Sequence, residues 1–342
     1  MESQNPSARV SRQTWYFDQD VRLLSSAVVV GPKEGKGPLA NYFDKIHSDL
    51  YAGQQTWEDA EKQLMADAIQ ILLKKAGIAD KDVDVILAGD LLNQNITTNF
   101  TAEQLEIPLM GMYGACSTSM LTLATAASLV NAGYATRAIA ACSSHNATAE
   151  RQYRYPTEYG GQKPPTAQWT VTGAGAGLVG IGGSGPRITY ATIGKVVDMG
   201  VKDPFDMGSA MAPAAASTLQ THFADTGRSP DSYDLIVTGD LASVGYPILK
   251  ELMLAQGYDM DKVYNDCGLM VYPPDEADVL AGASGCASSA VVTYGYIVDQ
   301  LNKGLLKKVL VCATGALLSP VSYQQGHSIP CIAHAVALEG GI

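Results

Sequence analysis

Residues 82–91 read DVDVILAGDL, and residues 231–241 read DSYDLIVTGDL. Asp84, Gly89 and Asp90 of the first stretch meet Asp234, Gly239 and Asp240 of the second, each 150 positions later. Both are short apolar runs closed by Gly-Asp, the pattern of a buried strand running into a turn. A helical stretch precedes each copy, WEDAEKQLMADAIQILLKKAGI in one case and MGSAMAPAAASTLQTHFADTG in the other. Gly77 and Gly227 close these stretches at the same offset, where a helix C-terminus favours glycine.

The repetition continues behind each copy. GACSTSM…NAGYATRAIAACSS matches GASGCASSA…NKGLLKKVLVCATG, so Asn131, Gly133 and Arg137 meet Asn302, Gly304 and Lys308. The offset there is 171, so the second half has gained about 20 residues, and such insertions fall in loops near function. Strand-like runs alternate with helices, which predicts a duplicated α/β fold with mostly parallel sheets covered on both faces. The Gly-rich GIGGSGP (180–186) is the expected boundary, giving an N-terminal half 1–186 and a C-terminal half 187–342. RITYATIGKVVDMG then opens the second half as VRLLSSAVVVGP opens the first.

Composition excludes several classes of function. The chain has 342 residues with a net charge of −11, which suits neither a general nucleic-acid binder nor adsorption to anionic lipid. The N-terminal MESQNPSARVSRQTWYF has no apolar run and reads as no signal peptide. The uncharged stretch from Ile107 to Thr136 is long enough to span a bilayer. Its Gly, Ser and Thr content predicts a short strand, a tight turn and a buried helix instead. The six cysteines form no CxxC pair and no zinc spacing, and suit a reducing compartment; Cys142 and Cys312 read as inert strand residues.

Cys116 is the sharpest chemical candidate. It stands before an apolar helical run, where free N–H groups and the helix dipole favour a thiolate, and Ser117, Thr118 and Ser119 offer capping hydroxyls. The other reading is a small residue where a strand meets a buried helix. Asp90 and Asp240 end the paired strands and read either as turn caps or as oxygen ligands, with Asn93 and Asn95 able to add carbonyl oxygens. No EF-hand spacing is present, so no metal site is expected. His145 follows the strand AIAACSS, at an end where α/β sites gather, or is a satisfied loop residue. His47 and His222 carry no motif and read as surface residues. ERQYRYPTEYGGQKP (150–164) gathers Arg151, Arg154 and Lys163 with Tyr153, Tyr155 and Tyr159, a mixture suited to a flat aromatic dianion or to a protein interface. The glycines of 172–183 lie in a β-rich run with no clear helix behind it, against a nucleotide loop.

The duplication, the GACS turn, GASG in the second half and the closing CIAHAVALE resemble the thiolase superfamily. The resemblance implies two mixed sheets in an αβαβα arrangement. It places Cys116 at the nucleophile position and Cys331 at that of the second thiolase cysteine, with His334 nearby. If 331–338 is one regular strand, Cys331 and His334 face opposite ways. Thiolases carry a GHP histidine just before GASG; here that stretch is ADVLAGASG (277–285), and the position falls on Val279 beside Asp278. Valine moves no proton, so the expectation is a binding protein, with an acyl-transferase acting through Cys116 as the alternative.

LAGDLLNQN, SSHNATAERQYRYPTEYGGQKP, NDCGLMVY and TGALLSP…IPCIAHAV also resemble a family of stage V sporulation proteins of endospore-forming bacteria. That resemblance implies a thiolase-like cleft binding dipicolinic acid, free or as its calcium chelate, during uptake into the developing spore. No cofactor is expected, and calcium enters only as the chelate. The implied partners are other membrane proteins of the same sporulation complex at the spore inner membrane, with peripheral attachment and dimerisation through the first-half sheet. The expected ligand-binding residues are Cys116, Ser117, His145, Asp90, Arg151, Arg154, Tyr159, Cys331 and His334.

Overall fold

A computed structural model describes residues 9–153, 163–272 and 279–340. Ten strands, among the described residues, make the path of the main sheet; the first half supplies β1 (Val21–Val30), β2 (Val85–Gly89), β3 (Leu109–Gly111), β4 (Arg137–Ser144) and β5 (Gly173–Ile181). Five more follow: β6 (Arg187–Ile193), β7 (Leu235–Thr238), β8 (Tyr264–Asp266), β9 (Lys308–Ala316) and β10 (Cys331–Glu339). Their spatial order is β3-β2-β4-β5-β1-β6-β10-β9-β7-β8, so one arrangement occurs twice about the middle.

Each set has two parallel pairings, β2 with β3 and β4, and β7 with β8 and β9. The other two are antiparallel, because β5 and β10 run against both of their neighbours. The fold is thus the expected duplicated α/β architecture, but its sheets are evenly mixed rather than mostly parallel, because β5 and β10 are inserted antiparallel to their neighbours. The two sheets meet edge to edge through one pairing, Arg22 with Arg187, which joins them into a continuous sheet.

The repeat extends to atomic detail. The Asp84 carboxylate accepts the backbone N–H groups of Thr136 and Arg137 at 2.6 and 3.0 Å, pinning the start of β4 beside β2. Asp234 accepts those of Lys307 and Lys308 at 2.7 and 2.8 Å, pinning β9 beside β7. Helices α1 (Trp57–Ala76) and, counting through α2 (Thr118–Asn131) and α3 (Asn146–Tyr153), α4 (Met207–Thr226) are the two long outer helices. Gly77 and Gly227 terminate α1 and α4 at φ 68° and 67°, a left-handed conformation that glycine adopts without a Cβ penalty.

Helix α2 touches strands of both sets, as does the helical run starting at Cys286, so these two form the shared central layer. Ser119 and Ser289 bridge them at 2.6 Å, both fully buried. Three apolar cores result, one under α1, one under α4 and one around the central helices. The stretch Ile107–Thr136 folds as foreseen, into β3, a turn and buried α2. Among the described residues no helix is long and apolar enough to cross a membrane.

Candidate functional site

The turn before α2 is built by its own small residues. Ala115 has φ 49°, a left-handed conformation costly for a residue with a Cβ. It is held there by hydrogen bonds. Ser117 Oγ donates to Gly114 O at 2.6 Å, Thr118 Oγ1 donates to Ala115 O at 2.6 Å, and Gly114 N donates to Thr118 Oγ1 at 3.0 Å. From the other set, β9 presses against this turn at Gly315. A Cβ there would stand 2.3 Å from Gly114 O, so only glycine permits the contact. The strained turn and the close strand together aim Cys116 into a chamber between the two halves.

That chamber is small and mostly apolar. Leu91, Ala115, Cys116, Ala149, Met207, Ala316 and Leu318 supply most of its wall, with Thr170, Ser284 and Gly285. It leaves about 30 Å³, room for about two waters. Tyr113 and Tyr153 close one side, and beyond them lies a vestibule of about 290 Å³ lined by Asn93, Gln94, Asn95, Ser319 and Pro320. No charged side chain is among the described residues lining either space.

The polar partner of the thiol is Asp240. The Cys116 Sγ–H donates to its carboxylate, which also accepts Thr314 Oγ1 at 2.7 Å and Gly285 N at 3.0 Å. Asp240 has no exposed surface. Burial pushes its carboxyl up to about 7 against those hydrogen bonds, and the charge of Asp266 adds to the rise. Its repeat counterpart is bonded differently. Asp90 accepts Leu92 N at 2.9 Å and Thr98 N at 2.8 Å, capping the chain after β2. In the second set Asp266 takes over such capping, accepting Leu241 N at 2.9 Å and Ala242 N at 3.0 Å, and Asp240 is thereby left to turn toward sulfur.

The model of the stage V sporulation protein AD family matches residues 11–339. Stage V sporulation protein AD of Bacillus subtilis (strain 168) is 55% identical over 328 residues, covering 96% of this chain and 97% of that protein. The chain belongs to the stage V sporulation protein AD family.

Solved structures with the same fold are enzymes of low sequence identity. A 3-oxoacyl-[acyl-carrier-protein] synthase III from Aquifex aeolicus VF5 has TM-score 0.58 at 14% identity, covering 93% of this chain and 99% of that one. Human mitochondrial 3-ketoacyl-CoA thiolase in complex with CoA gives 0.58 at 12%, covering 95% and 99%. An OleA variant from Xanthomonas campestris gives 0.61 at 13%, covering 94% and 97%. The sporulation family thus shares the thiolase-like fold.

In this member of the sporulation family, the residues singled out from sequence separate. Cys116 faces the chamber. Ser117 is fully buried and braces the turn through Gly114 rather than facing the chamber. Asp90 caps the turn after β2. His145 is also buried: its Nε2 bonds Leu50 O at 2.8 Å while Nδ1 accepts Ala147 N at 3.1 Å, so it fastens the start of α3 and lines no part of the chamber. Burial holds its imidazole below the usual range.

Cys331 opens β10, where burial raises its thiol to about 12, and His334 is held at about 4, again by burial. His334 accepts Gly194 N at 3.3 Å, and neither it nor Cys331 lines the chamber. Arg151 pairs with Glu58 and lies 5.6 Å from the Trp57 ring, in an outer groove. Arg154, Tyr159 and Asp278 lie outside the described residues. His222, read as a surface residue, is fully buried on α4 between Thr192 at 2.8 Å and Tyr233 at 2.6 Å. Its position on a helix face packed against β6 and β10 made burial inevitable.

Val279 is fully buried, and no imidazole is among the described residues lining the chamber. Sequence reasoning missed Tyr113 as a site residue; GMYGACS places it just ahead of the cysteine turn, but no motif marks it. Tyr153 was visible only as part of an aromatic-basic segment.

Proposed function

We propose that this protein binds dipicolinic acid, free or as its calcium chelate, in the thiolase-like cleft, and serves its uptake into the developing spore without acyl-transfer chemistry. One observation carries the non-catalytic part: the Cys116 thiol is bonded to the buried Asp240 carboxylate in a chamber that no described imidazole lines. Two backbone donors beside the chamber are committed, Ser117 N to Gly114 O at 3.1 Å and Gly285 N to Asp240 at 3.0 Å. The dipicolinate part rests on the sporulation family and the motifs that place the chain in it. Calorimetric titration with dipicolinate, with and without calcium, tests it; absence of heat at millimolar ligand overturns it.

A second reading, acyl transfer through Cys116, is favoured by the strained turn that presents the thiol at the start of α2. Incubation with acyl-CoA donors followed by intact-mass analysis separates the two. An adduct that Cys116→Ser abolishes supports the enzyme.

The same reading includes work at the spore inner membrane, attached peripherally and alongside other membrane proteins of one sporulation complex. It also includes a homodimer. Strand β3 is an outer strand of the sheet with Met110 45% exposed, and Ile96 and Phe100 are exposed nearby in the chain, whereas the outer strand β8 has Tyr264 and Asp266 buried.

A further inference from the structure

The chamber at Cys116 and the vestibule outside it share three wall residues, Tyr113, Tyr153 and Leu318. The phenol oxygens of the two tyrosines lie 3.2 Å apart. Tyr153 donates its proton to Leu91 O, so the bond between the phenols is donated by Tyr113. The neighbouring Gln152 reinforces this latch. Its Nε2 donates to the same Leu91 carbonyl at 2.8 Å, and its Oε1 accepts Asn93 N at 3.0 Å. The end of α3 is therefore clipped to the loop after β2 at the point where the two spaces meet. Tyr113 is 46% exposed on the vestibule side, whereas Cys116 is 7% exposed.

Size makes the latch consequential. An aromatic dicarboxylate fits the vestibule of about 290 Å³ but not the chamber of about 30 Å³. We propose that Tyr113 and Tyr153 form a paired-phenol gate that determines which molecules reach Cys116, opening by release of the bonds to Leu91 and between the phenols, and admitting small planar ligands while excluding bulky ones. The planar ligand class rests on the dipicolinate reading above; the gate rests on the geometry alone.

The test reads thiol modification by peptide mass mapping on the full chain. In the wild type, iodoacetamide modifies Cys116 at least about tenfold more slowly than in the unfolded chain, and a biotin-maleimide more slowly still. Tyr153→Phe removes both bonds of the latch and raises the Cys116 rate by about tenfold, the equivalent of one or two hydrogen bonds. Tyr113→Ala removes the bond between the phenols and one wall of the gate, raises the Cys116 rate likewise and also admits the bulky maleimide. The other five cysteines are fully buried and report folding, since an unfolded variant modifies all six. Should the folded wild type slow both reagents by the same factor relative to their own rates on the unfolded chain, or should neither folded variant change the Cys116 rate, the gate is refuted. If the variants open the chamber as expected but dipicolinate protects Cys116 in none of them, the gate stands and the dipicolinate reading falls.

Discussion

The thiol of Cys116 and the carboxylate of Asp240 come from opposite halves of the duplicated fold and meet in one hydrogen bond. Each is placed by a turn after a strand, and the repeat counterpart of Asp240 merely caps its own turn. Duplication supplied two equivalent aspartates; the site uses one.

Stability is expected to fall as pH rises toward neutrality. The Asp240 carboxyl moves from 3.8 to about 7 on folding, so the folded chain holds that proton more tightly than the unfolded one. Its contribution is complete below about pH 4, declines above that, and is lost above about pH 7, a change on the order of 4 kcal/mol. Glu34, Glu61, Asp90 and Asp266 shift upward too, chiefly through burial. The thermal midpoint should therefore be lower at pH 8 than at pH 6, and Asp240→Asn should flatten part of the slope. A midpoint that climbs over this interval contradicts the assignment.

Asp240→Ala is a different experiment from Asp240→Asn. It strips an acceptor from Thr314, Gly285 and Cys116 together and leaves buried donors unmatched, at a cost of about 1–3 kcal/mol. Urea unfolding should show the alanine variant clearly weaker than the asparagine variant. Equal midpoints would mean that the hydrogen bonds at this carboxylate contribute nothing.

Asp84 and Asp234 make the same pair of bonds in separate sheets. Both are exposed, so each alanine substitution should cost about 1 kcal/mol, and the double variant should show the sum. A double-mutant cycle in urea measures this; a coupling much larger than the single effects would argue against independent, equivalent pins.

Val279→His restores the residue type that thiolases carry before GASG, but at a fully buried position. The larger, polar ring should overpack the site and lower stability by about 1–3 kcal/mol without producing thiolysis of acyl-CoA. Recovery of thiolase turnover in this single variant would show that the rest of the catalytic apparatus is intact.

Dimerisation through β3 predicts that Met110→Asp shifts sedimentation toward a single chain while the thermal midpoint of the monomer changes little. If the wild type already sediments as a single chain at tens of micromolar, the edge-strand dimer is wrong.

Much of the fold was readable because its signals are local. The apolar runs ending in Gly-Asp, the glycines that close α1 and α4, and the small-residue turn before α2 each state their own conformation, and the fixed spacing between copies revealed the duplication. The expectation that Val279 stands where thiolases carry their histidine likewise came from counting along the chain. The site itself was not local. Asp90 and Asp240 are alike in sequence, and only packing decides that one caps a turn while the other reaches a thiol from the opposite half. His145, Cys331 and His334 stand near suggestive motifs, yet the strands and helices that carry them turn their side chains into the core. Tyr113 carries no motif at all; it becomes a wall because α3 brings Tyr153 against it. Periodicity and turn chemistry act over a few residues, whereas a chamber between two sheets exists only once distant strands have fixed the distance and direction between their side chains.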